Sequence, residues 1–353
     1  MRGKMRALRL FGPGDIRCVE VDIPEIKECT QVKIKVKSCG VCGSDIPRVM
    51  VKGTYKFPTT IGHEFAGEVV EVGTGVTIVN VGERVTVVPM IPCGVCQYCK
   101  VGSAHMCDTY DYYGSRRDGA MAEYVVVESA NCLKLPPNVD YEMGSMVDPV
   151  SVALHTVRNA GVVEAGSSAV VYGMGPIGFM TVQWLRALGC REVYAVDITN
   201  EKLRLAERLG ATKGINAMEC DPVTAIKELT GDGVATAIEL AGNKTTIVQT
   251  VLSVKKAGTA ILCGITYDDV VFPNAAISHI LRGEIVVKGS WNSSLNPLPI
   301  NEWESALQFM QTGAVKVNPL ITHRFRLEEG QRAFDMMFSR SEVFTKVLFK
   351  PED

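Results

Sequence analysis

The chain has 353 residues, more than one hydrophobic core usually organises, so its length predicts two domains. Its formal net charge of −2 provides no extended basic field, which excludes nucleic acid and anionic membranes from the expected partners. Twelve cysteines are present, and in a chain of this size clustered cysteines favour metal ligands over disulfides.

The first part of the chain, from residue 5 to about residue 149, contains short β-rich runs separated by glycine and proline turns. Residues 32–36 and 68–72 are examples of such runs. The opening residues do not combine a basic cluster, an apolar core and a small-residue cleavage site, so no secretory signal is expected. We therefore expect a β-rich domain in a cytoplasmic protein.

Two short motifs in this region carry metal-binding side chains. Cys42 lies in a Cys-Gly-Ser-Asp sequence, and His63 and Glu64 follow about twenty residues later between glycines. A lone histidine in an apolar stretch is more often a core residue, and a lone cysteine is more often inert. Together, however, one thiolate, one imidazole and adjacent carboxylates are the ligands of an open zinc site. The combination favours such a site here.

A second cysteine cluster follows a C-x2-C-x2-C-x7-C pattern in a loop rich in glycine, proline and polar residues. Its members are Cys93, Cys96, Cys99 and Cys107. Four thiolates can close a tetrahedral zinc site, which leaves no position for a substrate, so its role would be structural. Chance clustering is one alternative. An iron–sulfur cluster is another, although no proline follows the fourth cysteine and no further cysteine cluster is present.

From about residue 167 the pattern changes to apolar strands that alternate with amphipathic helices. Strands are predicted at 169–172 and 192–196 and helices at 177–188 and 200–209, with further strands at 235–240, 259–263 and 285–288. This alternation, with about six strands in all, predicts a doubly wound parallel sheet. Residues 166–185 carry no charge, but glycines and a proline interrupt them, so we reject a membrane span.

A glycine-rich turn lies between the first strand and the first helix of this region. It contains Gly173, Gly175, Pro176, Ile177 and Gly178. Such a turn lets the backbone approach a pyrophosphate, whose charge then lies at a helix N-terminus. Asp197 ends the next strand, where a carboxylate would accept a hydrogen bond from a ribose 2′-hydroxyl and repel a 2′-phosphate, which favours NAD over NADP. The alternative is a solvated aspartate at a strand end.

The C-terminal part contains an amphipathic helix at 301–311 and an apolar run at 345–349 that would suit a strand returning to the first domain. We therefore predict a discontinuous catalytic domain, formed by residues 1–150 and 290–353. Residues 151–289 would form the nucleotide-binding domain.

The segment Gly62-His63-Glu64-x2-Gly67-x5-Gly73-x2-Val76 matches the signature of zinc-containing alcohol dehydrogenases. With the Cys42 motif and the four-cysteine loop, the chain resembles the zinc-containing medium-chain dehydrogenase family over essentially its whole length. The resemblance implies a β-rich GroES-like catalytic domain and a doubly wound Rossmann domain. It also implies that Cys42 and His63 bind the catalytic zinc and that Glu64 is a ligand that exchanges with water.

The resemblance implies further roles by position. Asp148 occupies the third protein-ligand position, where the polyol branch of the family usually has glutamate, so it would bind zinc directly or through water. Ser44 corresponds to the hydroxyl that takes the substrate proton, whereas Pro47 stands where a relay histidine is common. Lys202 would contact the same ribose as the strand-end aspartate. The implied cofactors are two zinc ions per chain and NAD.

Within the family, residues 21–27, 42–48, 114–119 and 289–291 resemble a polyol-phosphate branch, whose substrates are of the galactitol 1-phosphate type. Arg48, Arg116 and Arg117 are candidates to bind the substrate phosphate, because guanidinium groups bind phosphate oxygens in a fixed fork. For each of them a solvent-facing position or a salt bridge is the alternative.

Three functions remain open at this point. The first is an NAD-dependent polyol-phosphate dehydrogenase, and the second is a dehydrogenase of an unphosphorylated polyol or vicinal diol such as sorbitol, xylitol or 2,3-butanediol. The third is a non-catalytic nucleotide-binding protein, which would have little reason to retain a full set of zinc ligands. The family also implies a homodimer or homotetramer that assembles through an edge of the wound sheet.

Overall fold

The computed structural model describes residues 3–296 and 299–353. The strands of this part are β1 (Lys4–Gly12), β2 (Asp15–Asp22), β3 (Gln31–Gly40), β4 (Thr59–Thr60), β5 (Glu64–Val72), β6 (Arg84–Val87), β7 (Met90–Ile91), β8 (Asp111–Tyr112), β9 (Tyr124–Glu128), β10 (Cys132–Lys134), β11 (Ser168–Tyr172), β12 (Glu192–Asp197), β13 (Lys213–Asn216), β14 (Val234–Glu239), β15 (Val254–Leu262), β16 (Val286–Gly289), β17 (Ile321–Phe325) and β18 (Lys346–Phe349). The α-helices are α1 (Asp45–Pro47), α2 (Gln97–Lys100), α3 (Tyr141–Gly144), α4 (Val147–Asn159), α5 (Pro176–Ala187), α6 (Asn200–Arg208), α7 (Pro222–Thr230), α8 (Lys244–Leu252), α9 (Asn274–Gly283), α10 (Glu302–Gln311) and α11 (Gly330–Ser339).

The chain forms two compact units. The first unit comprises Met1–Asp148, Leu295–Gln311 and Val317–Asp353. The second comprises Pro149–Ser294 and Thr312–Lys316.

The first unit is built mainly from antiparallel strands. Its largest sheet has the order β10-β6-β5-β3-β18-β17, and β9 pairs with β3 as well. Side chains of β3 alternate between buried and half-buried positions, as expected for a strand with one face in a core. Val32, Ile34 and Val36 are fully buried on that face. This sheet brings the end of β3 beside the start of β5, where Gly40 pairs with Glu64.

The second unit contains a six-stranded parallel sheet in the order β13-β12-β11-β14-β15-β16. Its central strands are nearly continuous apolar runs; in β11, Val170, Val171 and Tyr172 are fully buried. Parallel strands covered on both faces are expected to have this composition. The strand order reverses between β11 and β14, so the predicted doubly wound sheet is confirmed, and β11 leads into the glycine-rich turn at its carboxyl end.

Some elements differ from the sequence-based prediction. The strand β13 was not predicted, because its sequence Lys-Gly-Ile-Asn contains a single strongly apolar residue. The strand β15 begins at Val254, five residues before the predicted start at residue 259, and its register with β14 shifts at that end. Such an irregularity hides the apolar alternation on which the prediction relied.

The uncharged stretch at 166–185 forms β11, the glycine-rich turn and most of α5. Among the described residues, no helix has both the length and the apolar character needed to cross a bilayer.

Candidate functional site

Cys42 lies in the turn that follows β3. The amide of Asp45 donates to the Cys42 carbonyl at 3.0 Å, and the Cys42 amide donates to a carboxylate oxygen of Asp45 at 3.1 Å. These two bonds fix the turn at the start of α1. Ser44 Oγ donates to Cys42 Sγ at 3.3 Å, so the predicted proton-accepting hydroxyl lies beside the predicted ligand.

His63 and Glu64 lie where β5 begins, and each is only 3% exposed. The Cys42 sulfur, a ring nitrogen of His63 and a carboxylate oxygen of Glu64 all lie within 4.8 Å of one another. A tetrahedral zinc with bonds of about 2.0–2.3 Å has its ligand atoms roughly 3.3–3.8 Å apart. One thiolate, one imidazole and one carboxylate whose ligand atoms lie within 4.8 Å of one another are a donor set that suits zinc, and three ligands leave room for a further one.

Asp45, the last residue of the Cys-Gly-Ser-Asp motif, contacts His63, and no role was predicted for it. Its Oδ1 lies 3.5 Å from His63 Nδ1, and the Arg48 guanidinium also pairs with it. Burial opposes ionisation of this carboxyl, but His63, Arg48 and the Cys42 amide outweigh it and lower the pKa of Asp45 to about 2. A charged carboxylate that contacts a metal-binding imidazole fixes the orientation of its ring. In the sequence, the indication of this role was the position of Asp45, three residues after Cys42.

Asp148 lies in the first turn of α4 and is 6% exposed. It is outside the Cys42–His63–Glu64 group within the described residues, so direct ligation by Asp148 stays a prediction. Burial raises the pKa of Asp148 to about 7, with the nearby charge of Glu64 acting in the same direction and that of His63 opposing it. The charges of His63 and Glu64 therefore affect the pKa of the Asp148 carboxyl, although Asp148 is not among the three clustered ligand residues.

Two residues of the site were missed by the sequence analysis. Tyr112, at the end of β8, places its ring 5.4 Å from that of His63, and burial raises the pKa of its hydroxyl well above the ordinary value. Lys346 pairs with Glu64 although it belongs to the apolar run that forms β18. In the sequence, a single charged residue in an apolar run could have pointed to Lys346 as a site residue. Nothing in the sequence pointed to Tyr112.

The four-cysteine loop brings its members together. The sulfur atoms of Cys93, Cys96, Cys99 and Cys107 lie within 4.8 Å of one another, and the Sγ atoms of Cys93 and Cys99 are 4.0 Å apart. Zinc–sulfur bonds of about 2.3 Å imply sulfur separations of roughly 3.8 Å. Amide donors from Val95 and Cys96 lower the pKa of Cys93 to about 6, which favours the thiolate that zinc requires. The loop therefore fits a closed zinc site.

The glycine-rich turn in the second unit has the backbone that the fingerprint predicts. Gly173 has a φ of +96°, and Gly175 caps α5, which begins with Pro176 and Ile177. A Cβ at Gly178 would lie 2.0 Å from the Gly173 carbonyl oxygen, so a side chain there would push the helix away from the turn. The free amides at this helix start can receive a pyrophosphate.

Asp197 ends β12, and its carboxylate is tied to the glycine-rich turn. It accepts hydrogen bonds from the amides of Met174 at 2.7 Å, Ile198 at 2.8 Å and Thr199 at 3.0 Å. A carboxylate has about four acceptor sites, so it retains capacity for a ribose hydroxyl. Lys202 lies in the first turn of α6 and is half-buried.

The three candidate arginines have different surroundings. Arg48 pairs with Asp45, and Arg117 pairs with Asp111 through Nη2 at 2.5 Å. Arg116 instead stacks between two tyrosine rings, with its guanidinium carbon 4.4 Å from the centroid of Tyr55 and 4.5 Å from that of Tyr110. It donates a hydrogen bond to the Tyr55 hydroxyl at 3.3 Å.

Two known domain families match this chain. The profile of the alcohol dehydrogenase GroES-like domain matches residues 28–137, and that of the zinc-binding dehydrogenase domain matches residues 176–312. Galactitol 1-phosphate 5-dehydrogenase of Escherichia coli K12 is 37% identical over 345 residues, which covers 96% of this chain and 97% of the relative. Sorbitol dehydrogenase 2 of Saccharomyces cerevisiae is 34% identical over 352 residues, or 96% of each chain.

Solved structures show the same likeness. The crystal structure of galactitol-1-phosphate dehydrogenase from Escherichia coli has a TM-score of 0.92 and 34% identity, covering 98% of this chain and 100% of that chain. A zinc-binding dehydrogenase from Sinorhizobium meliloti 1021, solved with bound NADP, has a TM-score of 0.91 and 33% identity, with 99% and 100% covered.

Proposed function

Because the chain belongs to the zinc-containing medium-chain alcohol dehydrogenase family, whose members are oxidoreductases, we propose that it passes hydride between a secondary alcohol of a polyol phosphate and NAD. The observation that carries this proposal is the buried group of Cys42, His63 and Glu64, whose ligand atoms lie within 4.8 Å of one another. Zinc and a nicotinamide cofactor follow from the family. The choice of NAD rests on Asp197, and the choice of a polyol phosphate rests on Arg116.

We propose two zinc ions per chain, one held by the four cysteines and one by Cys42, His63 and Glu64, with Asp148 as the further ligand. Zinc bound at the second site would act as a Lewis acid that lowers the pKa of the substrate hydroxyl. Asp45 holds the His63 ring in place through the contact at 3.5 Å.

Ser44 takes the proton of the substrate hydroxyl in this proposal. Its Oγ is within hydrogen-bond reach of the Cys42 sulfur, at 3.3 Å, so the hydroxyl lies next to a metal ligand. Pro47 stands at the position of the usual relay histidine and has no group that can carry a proton. Proton release therefore follows a path that does not involve residue 47.

The choice of NAD rests on Asp197. Its carboxylate lies at the carboxyl end of β12, where it would repel the 2′-phosphate of NADP. The dehydrogenase from Sinorhizobium meliloti was solved with NADP, so the cofactor choice has to come from this chain's own residues.

Replacing Asp197 with asparagine is expected to lower the ratio of kcat/KM with NAD to kcat/KM with NADP by at least about tenfold, or about 1.4 kcal/mol. The reason is that asparagine keeps an acceptor oxygen but removes the repulsive charge. Steady-state rates with both cofactors measure the ratio. Asp221→Asn, at the cap of α7, is the matched control and should leave it unchanged. A ratio that stays within twofold in Asp197→Asn would show that Asp197 does not select the cofactor.

The polyol phosphate is supported by Arg116. The other two candidates have carboxylate partners, which reduces the positive charge they can offer to a phosphate. Arg116 has tyrosine partners instead, and stacking between two rings holds its guanidinium plane in one orientation while its charge is retained. A fixed guanidinium of this kind is suited to bidentate phosphate binding.

Arg116→Ala is expected to raise KM for galactitol 1-phosphate at least about tenfold and to change KM for galactitol less than about twofold. The difference arises because the neutral polyol has no phosphate for the guanidinium to bind. Arg17, which stacks on Phe11 and pairs with Asp15, offers a matched control, and Arg17→Ala should affect neither substrate. Equal KM changes for both substrates in Arg116→Ala would remove the phosphate role.

The proposal as a whole is tested by comparing galactitol 1-phosphate, galactitol, sorbitol and 2,3-butanediol as reductants of NAD. A kcat/KM at least about a hundredfold higher for the phosphate ester, roughly 2.7 kcal/mol of transition-state binding, supports the polyol phosphate. Preference for a neutral polyol or diol would select the second function, which the likeness to sorbitol dehydrogenase 2 favours. No reduction with any alcohol would revive the non-catalytic alternative.

A homodimer or homotetramer is part of the proposal. The strand β16 is an edge of the parallel sheet, and all four of its residues are exposed, including Val286 at 53% and Val287 at 38%. An open apolar edge offers backbone groups and side chains to a second sheet. This exposed edge supports self-association through β16.

A further inference from the structure

The second unit has a cavity of its own beside α9, with a volume of about 660 Å³. Its lining comes from α9, from the start of β15 and from the turn between α7 and β14, and includes Asp232, Lys256, Ala275, Ser278, His279 and Arg282. None of these residues belongs to the glycine-rich turn or to either group of metal-binding side chains. Pockets for small organic molecules usually have volumes of about 300–1,000 Å³, so the space suits a ligand larger than a single small ion.

Positive charge exceeds negative charge around this cavity. Lys256 and Arg282 line it, and neither forms an ion pair within residues 3–296 and 299–353. Arg282 Nε donates to Ser278 Oγ at 3.1 Å, which leaves the two Nη groups of the guanidinium available to a ligand. Of the described residues that line the cavity, Asp232 alone carries a carboxylate. A guanidinium and an ammonium at one cavity are the groups that bind phosphate oxygens in proteins.

The backbone of β15 is irregular where it carries Lys256. Residues 255–258 stand opposite the single residue Ala235 of β14 and form a bulge. Within this bulge Ala257 has a φ of +59°, a left-handed conformation that is unfavourable for a residue with a Cβ. Bulges redirect side chains, and unfavourable backbone conformations that are retained often mark functional sites. The bulge leaves Lys256 exposed at the cavity.

The helix α9 is tied to this bulge at two points. His279 Nε2 lies 2.8 Å from the Val254 carbonyl oxygen, and since a carbonyl only accepts, Nε2 carries the hydrogen. At the end of the helix, a Cβ at Gly283 would lie 3.8 Å from Lys256 Cα, which is ordinary packing distance. These contacts hold the Arg282 side of α9 beside Lys256, so the two positive groups reach the same cavity from backbone elements that contact one another.

We propose that this cavity binds a small organic phosphate that also carries hydroxyl groups. Lys256 and Arg282 bind the phosphate oxygens, because a phosphate dianion matches their two positive charges. Asp232 accepts hydrogen bonds from the ligand's hydroxyls. Ser278, whose oxygen already accepts from Arg282, still has its own hydroxyl hydrogen to donate. Binding here requires neither zinc nor the nicotinamide cofactor.

Isothermal titration calorimetry of the full-length, zinc-loaded protein tests this site, with D-glucose 6-phosphate, inorganic phosphate and D-glucose as probes. The expected Kd for the ester is below about 1 mM and at least about tenfold lower than that for inorganic phosphate, with no heat from glucose. Arg282→Gln should raise the Kd for both phosphates at least about tenfold. Arg208→Gln, at the exposed end of α6 and outside the cavity lining, is the matched control and should change neither.

Two further variants separate the roles of charge and space. Asp232→Asn removes the carboxylate that repels phosphate and accepts from hydroxyls, so the preference for the ester over inorganic phosphate should shrink at least about threefold. Ala275→Trp keeps every charge but fills the cavity, and should raise the Kd for the ester at least about tenfold. If Arg282→Gln does not fold, Lys256→Gln tests the same pair of positive groups.

Several results would overturn the proposal. One is the absence of heat with either phosphate up to about 10 mM. Another is an unchanged Kd in both Arg282→Gln and Lys256→Gln. A third is binding that is lost in Arg116→Ala and kept in Arg282→Gln, since the phosphate would then occupy the site proposed for the substrate.

Discussion

Replacing His63 with alanine is expected to lower kcat/KM at least about 10³-fold, or about 4 kcal/mol of transition-state stabilisation. His63 provides the only imidazole of the Cys42–His63–Glu64 group, and its ring is almost fully buried beside Asp45. Its loss leaves one thiolate and one carboxylate that is already paired with a lysine. We expect the variant to lose one zinc per chain, and steady-state kinetics together with metal analysis measure both effects.

His323→Ala is the matched control for this experiment. His323 also lies on a strand of the first unit, but it is partly exposed and contacts Thr322 and Glu342. Its removal should change kcat/KM less than about threefold and leave the zinc content unchanged. Retention of activity within tenfold by His63→Ala would mean that the reaction does not depend on this group.

Cys107→Ser is expected to lower the unfolding temperature by roughly 6–20 °C, since losing about 3–5 kcal/mol shifts a domain of this size by 2–4 °C per kcal/mol. Cys107 is buried within the four-cysteine loop, and its sulfur accepts a hydrogen bond from the Cys93 amide at 3.2 Å. A loop with no core of its own depends on the metal for its folded state, so losing one thiolate releases the zinc. Calorimetry and metal analysis record the two changes.

Cys220→Ser provides the comparison for this substitution. Cys220 is exposed and lies outside both cysteine groups, so its replacement should not alter the unfolding temperature or the zinc content. If Cys107→Ser unfolded at the wild-type temperature with its zinc retained, the four cysteines would not form a structural metal site.

The fold was largely predictable because each unit has a distinct apolar pattern. The apolar runs that form β11 and β12, each followed by a helical pattern (α5 and α6), indicated a parallel sheet from the sequence alone. The strand β13 was missed because its sequence, Lys-Gly-Ile-Asn, contains little apolar surface. The opposite edge strand, β16, was predicted at residues 285–288, so the apolar content of a strand, and not its position at a sheet edge, explains the difference.

The candidate site was predictable where chemistry depends on spacing along the chain. The four cysteines, the Cys42 motif and the glycine-rich turn are local patterns whose ligand atoms or backbone amides the structure brings together. Contacts between strands that are far apart in the sequence leave no local pattern, so they could not be predicted. Lys346 lies 282 positions from Glu64, and only the pairing of β18 with β3 brings the two side chains into contact.

The candidate arginines show a further limit of sequence reasoning. Arg48, Arg116 and Arg117 are equivalent as residue types, and each was a reasonable phosphate ligand. What distinguishes them is the partner that the fold supplies: Asp45 for Arg48, Asp111 for Arg117 and two tyrosine rings for Arg116. Partners of this kind are set by tertiary structure, so the distinction could not be made from composition or spacing.

The most direct test of the central idea, hydride transfer that depends on the zinc site, is the initial rate of NAD reduction before and after zinc is removed and restored. Galactitol 1-phosphate, galactitol, sorbitol and 2,3-butanediol serve as reductants. We expect NADH to form with at least one of them, to stop when the zinc of the Cys42–His63 site is removed, and to resume when zinc is added back. NADH formation that continues at the same rate without that zinc would contradict the account.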